Sequence, residues 1–193
     1  MSSLDFMQTI LPARRIVGSM SAIQTDHFTA NLAVLLRETF ESPRPTGGAY
    51  LDQGTGLFRT LDGISAVRAS RVPVVGGPTI AAHAGHLLYY IRVTQAFLEQ
   101  REPGPLDFPG SWGGQIVDAD EWVTLKSDIR TAYETLLATV ESRPAWNDDA
   151  IGDAMAILVH TAYHLGAIRH AVRMEDRAIG AGLAGRPHME ETR

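Results

Sequence analysis

The chain has 193 residues, an apolar fraction of 45% and a formal net charge of −5 at pH 7 with histidine counted as neutral. That length suits one domain with an apolar core, and the lack of cysteine excludes disulfides, thiolate zinc sites and a cysteine nucleophile. No run of lysine or arginine forms a basic stripe, so the composition argues against nucleic-acid binding through phosphate contacts.

Residues 1–25 are predicted to form an N-terminal arm. They lack the basic start followed by a long apolar run that is typical of a signal peptide. No uninterrupted apolar stretch approaches the ~20 residues of a membrane span. We therefore expect a cytoplasmic protein with no membrane partner.

The first helix is predicted from about Asp26 to Phe40. Apolar residues recur there at helical spacing, and Thr25 or Asp26 is available as an N-cap. Prolines and glycines between residues 43 and 48 end the helix. A long connection then runs to about residue 77 and is expected to contain one short helix, at about Ser65–Ser70.

The second helix is predicted to open at the sequence GGPT of residues 76–79, with Pro78 in its first turn. Its apolar face extends to Leu98, and Pro103 and Gly104 end it. The loop PGPLDFPGSWGGQ follows, and it is rich in proline and glycine.

The third helix is predicted at about residues 119–141 and the fourth at about residues 148–174. Asp148 or Asp149 is expected to cap the fourth helix. Met155 is among the residues expected to face inward from it.

Four long amphipathic helices without a convincing strand pattern predict an all-α fold. We expect a four-helix bundle over residues 26–175, with long connections between helices 1 and 2 and between helices 2 and 3. Residues 176–193 are predicted to be a flexible C-terminal tail.

The fourth helix contains the sequence HTAYHLGAIRH. Its His160 and His164 are four residues apart, which places them on one helical face ~6 Å apart along the axis. Two imidazoles at this spacing are a common way for a helix to supply two nitrogen ligands. His83 and His86 on the second helix also share a face, and periodicity barely separates them as a third ligand. A metal ion, mutual hydrogen bonds or ordered water would each satisfy such buried imidazoles.

The segment PTIAAHAGHLLYYI, followed after a third helix by HTAYHLGAIR, resembles the DinB-like superfamily of metal-binding four-helix bundles. The likeness extends over residues 26–173 and includes the connector FRTLDGISAVRAS. The resemblance implies a divalent metal ion held by His86, His160 and His164. His83 is then an extra residue, either a neighbour of the ligands or a solvent-facing side chain, and the second interpretation is favoured.

Some members of that superfamily are transferases or isomerases that depend on a low-molecular-weight thiol such as bacillithiol or mycothiol, and others have no assigned activity. The resemblance thus implies a metal-dependent S-transferase acting on a small thiol and an electrophilic substrate. The alternative is a non-catalytic metal-binding or stress-related bundle. Nitrogen ligands suit zinc or nickel first, and iron or manganese after them.

Three further side chains have a functional and a structural interpretation. Tyr90 is either a proton or hydrogen-bond donor or, by preference, a packing residue. Trp112 either covers a pocket or anchors its loop. Arg169 either pairs with a substrate carboxylate or lies on the surface, as most helical arginines do. No residue is assigned as catalytic.

The five consecutive residues Leu87–Ile91 cover more than one turn of the second helix with apolar and aromatic side chains. One face of that helix points to the core, so the remaining side chains need another cover. The long connections could provide it, but we expect a symmetric homodimer, the commonest closed assembly of soluble proteins. Dimers also occur in the superfamily that the chain resembles.

Overall fold

A computed structural model describes residues 24–73 and 76–180 of the chain. Regular structure in these residues is helical throughout, and no β-strand occurs in them. The helices are α1 (Thr25–Phe40), α2 (Leu57–Asp62), α3 (Ala66–Ala69), α4 (Ile80–Leu98), a 3₁₀ turn at Gly110–Trp112, α5 (Ala119–Glu141) and α6 (Asp148–Gly180). The all-α prediction is confirmed. Nearly all of the predicted arm, and residues 181–193 of the predicted tail, lie outside the described residues.

The four long helices share one apolar core. Helix α4 packs against both α5 and α6, and α1 also contacts both of them. The largest fully buried side chains come from all four helices and from α2, and include Phe40, Leu61, Ile91, Leu136 and Ile168. Burying each such side chain stabilises the fold by roughly 1.5–3 kcal/mol, so this core is what holds α4 against α6.

Side-chain caps explain where two of the long helices begin. Helix α5 starts with a capping box, in which Asp118 Oδ1 accepts from the Glu121 backbone N–H at 2.8 Å and Glu121 accepts from the Asp118 N–H at 2.9 Å. Helix α4 is capped by Thr79, whose Oγ1 accepts from the Ala82 N–H at 3.2 Å. Pro78 therefore precedes the N-cap and lies outside the first turn in which it was expected.

Helix α6 differs from its prediction at both ends and along its buried face. Asn147, and neither Asp148 nor Asp149, accepts a capping hydrogen bond, from the Ala150 N–H at 3.0 Å. The helix continues to Gly180, six residues past its expected end. Met155 is 52% exposed, because the buried face of the helix runs through Ala150, Ala154 and Ile157.

A buried carboxylate organises the loop after α1. Glu38 is 4% exposed, and its oxygens accept from the backbone N–H groups of Ala49, Tyr50 and Leu51, each at 2.7 Å. Burial acts to raise the pKa of this carboxyl, but the three donors outweigh it and the net pKa is lowered. A Cβ at Gly48 would lie 2.6 Å from Glu38 Oε1, so this position requires glycine.

The loop between α4 and α5 folds back along α4. The Asp107 N–H donates to Tyr89 Oη at 2.7 Å, and the Phe108 ring contacts the edge of Tyr89. Further along, the Gln115 backbone carbonyl accepts from Thr79 Oγ1 at 2.7 Å. The loop covers the aromatic part of the Leu87–Ile91 stretch, so the extra apolar surface of α4 is covered within the chain and no longer argues for a dimer.

Helix α6 meets the length and composition criterion for a membrane-crossing helix, with a mean hydropathy of 1.2 over 18 residues. One third of that window is buried inside the fold, and core helices of soluble proteins pass the same test. Helix α6 packs against α1 and α4. The expectation of no membrane partner remains a prediction.

Candidate metal centre

Two packed helices bring three histidines together. His86 projects from α4 and is 6% exposed, while His164 on α6 is 1% exposed and His160, one turn earlier, is half-buried. One ring nitrogen from each lies within 4.8 Å of the other two. The three imidazoles are thus close enough to share one metal ion.

The state of His160 fits a ligand role. Its Nε2 is buried and has no hydrogen-bond partner in the described structure. Leaving a buried polar nitrogen unpaired costs roughly 1–3 kcal/mol, and coordination to a metal would remove that cost. Three neutral imidazoles are also a donor set that zinc and nickel accept.

Burial keeps the cluster neutral at physiological pH. It lowers the pKa of His164 to about 3, with further contributions from the charges that His160, His83 and His86 would carry. It also lowers the pKa of His160 to about 4, with a second contribution from His86. The pKa of His86 is lowered by burial as well. Since metals bind the neutral imidazole, protons compete weakly for these ligands at pH 7.

The His86 ring is held by the α4–α5 loop. Its Nδ1 lies 2.6 Å from Ser111 Oγ, and Ser111 Oγ also donates to the Phe108 carbonyl at 2.6 Å. The indole of Trp112 stacks on the imidazole with centroids 4.0 Å apart and planes at 15°. Trp112 therefore both anchors its loop and covers one face of the cluster.

His83 is part of the same cluster, which corrects the interpretation of this residue as solvent-facing. The side chain is half-buried, and its Nδ1 lies 2.9 Å from Nδ1 of His164. The edge of its ring contacts Trp112 at a centroid distance of 5.4 Å. Burial, followed by the charge of His86, lowers the pKa of His83. The structure thus places it within hydrogen-bonding distance of a candidate ligand.

Tyr90 takes the packing role that was preferred for it. Its ring stacks on His160 with centroids 3.8 Å apart and planes at 12°. Burial, and then the charge of Asp153, raises the pKa of its hydroxyl, which makes it a poorer acid at neutral pH. Arg169 takes no part in the hydrogen bonds among the histidines described above.

Two open surface clefts, each with a volume of about 690 Å³, lie away from the histidines. Arg59, Asp62 and Arg130 are among the residues that line the first, and Asp26 and Arg143 are among those that line the second. Neither cleft is lined by a histidine. We take the histidine cluster as the functional candidate, because it combines convergent ligand atoms, an unpaired buried nitrogen and lowered pKa values, which neither cleft offers.

Sequence reasoning found the three candidate ligands but missed Ser111. The residue lies in a loop with no regular periodicity, and its contact with His86 arises only because that loop folds back onto α4. The flanking Trp112 was the one signal of the loop's importance, because a large aromatic residue among glycines needs a packing partner.

Comparison of the chain with protein-family models, with curated proteins and with solved structures finds no match. The resemblance to the DinB-like superfamily therefore rests on the quoted sequence segments alone.

Proposed function

We propose that this protein is a divalent-metal-binding four-helix bundle of the DinB-like type, with His86, His160 and His164 as the metal ligands. One observation carries the proposal: the three nitrogens converge within 4.8 Å. The unpaired buried Nε2 of His160 supports it. Zinc or nickel fits the all-nitrogen donor set first, and iron or manganese is an alternative.

The surrounding side chains have defined tasks in this proposal. Ser111 and His83 hold the rings of His86 and His164 through their Nδ1 atoms. Trp112 and Tyr90 stack on two of the imidazoles and keep water from those ring faces. Three protein ligands leave further coordination positions for small molecules. A divalent ion held there would supply Lewis acidity, which lowers the pKa of a coordinated thiol or water.

For the chemistry, we propose a metal-dependent S-transferase that uses a low-molecular-weight thiol and an electrophilic substrate. The resemblance to the DinB-like superfamily and the three-ligand donor set support this choice. Cobalt substitution would test it, because a thiolate bound to Co²⁺ gives a charge-transfer absorption in the near ultraviolet. Titration with cysteine and 2-mercaptoethanol should produce that band, and turnover with an electrophilic acceptor should follow.

The alternative is a non-catalytic metal-binding protein. The aromatic cover favours it, since Trp112 and Tyr90 stack on the ligands and both described clefts lie elsewhere. If added thiols do not change the absorption spectrum of the cobalt-substituted protein, this alternative is supported over the transferase.

Metal binding itself is tested by elemental analysis of protein purified without a metal-affinity tag. We expect close to one divalent ion per chain. A chain that carries no metal, and that takes up none from zinc or nickel solutions, would refute the proposal whatever its activity.

A homodimer and a cytoplasmic location complete the proposal. The homodimer now rests on the resemblance alone, because the loop between α4 and α5 covers α4. Light scattering at micromolar concentration should give twice the 21.0 kDa of one chain, and a mass near 21.0 kDa would refute the dimer. A cytoplasmic location remains a proposal.

A further inference from the structure

The hydroxyl of Ser111 lies between two acceptor-capable groups. Its Oγ is 2.6 Å from the Phe108 carbonyl oxygen and 2.6 Å from His86 Nδ1. A hydroxyl has one hydrogen to donate, whereas a carbonyl oxygen can only accept. The hydrogen therefore goes to Phe108, and Ser111 Oγ must accept a hydrogen from His86 Nδ1.

We infer that Ser111 is a positioning residue that holds His86 in its Nδ1–H tautomer and so leaves Nε2 as the nitrogen with a free lone pair. In a neutral imidazole one nitrogen carries the proton and the other can bind a ligand. The inference deepens the proposed metal site, and rests on it, by assigning the ligand atom of His86 and the group that selects it.

This selection opposes the ordinary preference of the side chain. A histidine in water favours the Nε2–H tautomer, in which the lone pair lies on Nδ1. At His86 that tautomer would place the Nδ1 lone pair against the oxygen lone pairs of Ser111, because the serine hydrogen is already given to Phe108. Hydrogen bonds to the non-coordinating nitrogen are a general way in which proteins orient histidine ligands.

The loop that carries Ser111 is fastened to the helix that carries His86. The Gly110 N–H donates to Asp107 Oδ1 at 2.8 Å, and the Asp107 N–H donates to Tyr89 on α4. Beyond the 3₁₀ turn, Gln115 Nε2 donates to the Trp112 carbonyl at 3.0 Å, and its Oε1 accepts from the Thr79 N–H. Ser111 is thus held from both sides, so its distance to His86 does not depend on the position of α6.

The contact of His83 with His164 does not fix the tautomer of either ring. It joins two Nδ1 atoms, and either ring can be the donor. The Ser111 contact does fix the donor, because Ser111 donates its only hydrogen to the Phe108 carbonyl and can therefore only accept from His86.

The first experiment uses the metal-free wild-type chain. Long-range ¹H–¹⁵N correlation spectra of ¹⁵N-histidine-labelled protein at pH 7.5 report which ring nitrogen carries the proton, and loss of one spin system in His86→Gln assigns His86. We expect a protonated Nδ1 and an unprotonated Nε2. An Nε2–H pattern, or rapid averaging between the tautomers, would overturn the inference.

The second experiment measures zinc affinity by competition with a chromophoric chelator in Ser111→Ala, with Ser127→Ala as the matched control on the exposed face of α5. We expect Ser111→Ala to bind zinc roughly 10-fold more weakly or worse, and the control to bind as wild type does. Wild-type affinity in a folded Ser111→Ala protein would contradict the inference. If Ser111→Ala does not fold, the wild-type spectrum still decides.

The two proposals can fail separately. A wild-type chain that binds no zinc or nickel refutes the metal site, while its metal-free spectrum still tests the tautomer of His86. If the chain binds metal but His86 is in the Nε2–H form, the proposed metal site stands and the proposed role of Ser111 is refuted.

Discussion

Nδ1 of His83 lies 2.9 Å from Nδ1 of His164, so a residue of α4 and a residue of α6 share one hydrogen between them. If His164 binds a metal through Nε2, its Nδ1 carries the hydrogen and His83 accepts it. His83 then has to be neutral, in keeping with the effect of burial on its pKa. The pair links the two ligand-bearing helices at the level of the site.

Replacing His83 with Ala should weaken zinc binding by about 10-fold without abolishing it, because His164 loses the partner that orients its ring. At saturating zinc the variant should still carry close to one ion per chain. A chelator competition assay measures the affinity, and elemental analysis measures the content. His27→Ala, at an exposed position of α1, is the control.

Two results would contradict this account of His83. Unchanged affinity would return the residue to the bystander role expected from the sequence. Complete loss of metal at saturation would make it a ligand in its own right.

Replacing His160 with Ala should remove most bound metal and leave the helical circular-dichroism signal largely intact. The ring supplies a candidate ligand nitrogen, whereas α6 is held in the core by other side chains, including Ile157 and Leu165. His170→Ala, on the exposed side of the same helix, should keep its metal. Near-stoichiometric metal in His160→Ala would exclude the proposed ligand set.

Much of the fold could be predicted because its signals are local. Helix α5 shows apolar residues at helical spacing, with Asp118 and Glu121 at the separation of a capping box, and its predicted and observed limits agree. Helix α6 was less predictable at its end. Arg68 on α3 forms ion pairs with Glu175, at 2.6 Å, and with Asp176, both in the last turns of α6. Such long-range pairs cannot be predicted from a local sequence pattern.

The candidate site was predictable only in part. The spacing of His160 and His164 follows from helical geometry, but the choice of His86 over His83 came from a resemblance. Both histidines of α4 belong to the cluster in the structure. His83 contacts His164 on α6, whereas His86 contacts Ser111 in the loop between α4 and α5. Ser111 could not have been found, because its role depends on how a loop folds back.

Replacing Tyr90 with Phe should leave metal content and stability close to wild type. The ring stacks on His160, and no hydrogen bond of its hydroxyl supports the site in the described structure. Tyr90→Ala removes the stacked ring and should lower the free energy of unfolding. Loss of a large, fully buried aromatic side chain costs about 3–5 kcal/mol, and we expect a smaller loss here because Tyr90 is half-buried. Chemical denaturation measures both variants. A large loss of metal in Tyr90→Phe would mean that the hydroxyl acts at the site.

Replacing Glu38 with Gln should destabilise the fold by about 1–3 kcal/mol, because an amide cannot accept all three backbone hydrogen bonds as a carboxylate does. For a chain of this size that corresponds to a fall in Tm of roughly 2–4 °C per kcal/mol. Glu134→Gln, at an exposed position of α5, is the matched control. Equal melting temperatures for the two variants would show that the loop after α1 does not depend on this carboxylate.

The metal-free protein should lose stability as the pH falls below the ordinary histidine pKa of 6.5. In the folded state the pKa of His160 is about 4 and that of His164 about 3, so between pH 6.5 and about 4 the unfolded chain binds protons that the folded chain does not. Each group then lowers the free energy of unfolding by at most about 1.4 kcal/mol per pH unit, and above pH 6.5 neither group changes it. The two rings are neighbours, so their effects are not independent.

Thermal unfolding of metal-free protein between pH 7.5 and 4.5 would measure this dependence. The double variant His160→Gln, His164→Gln is the reference, because carboxylates that titrate in the same range contribute equally to both proteins. We expect Tm of the wild-type chain to fall more steeply below pH 6.5 than Tm of the double variant. Parallel curves would show that the buried imidazoles are not held neutral in the folded state, and protons would then compete with metal ions at the site near pH 6.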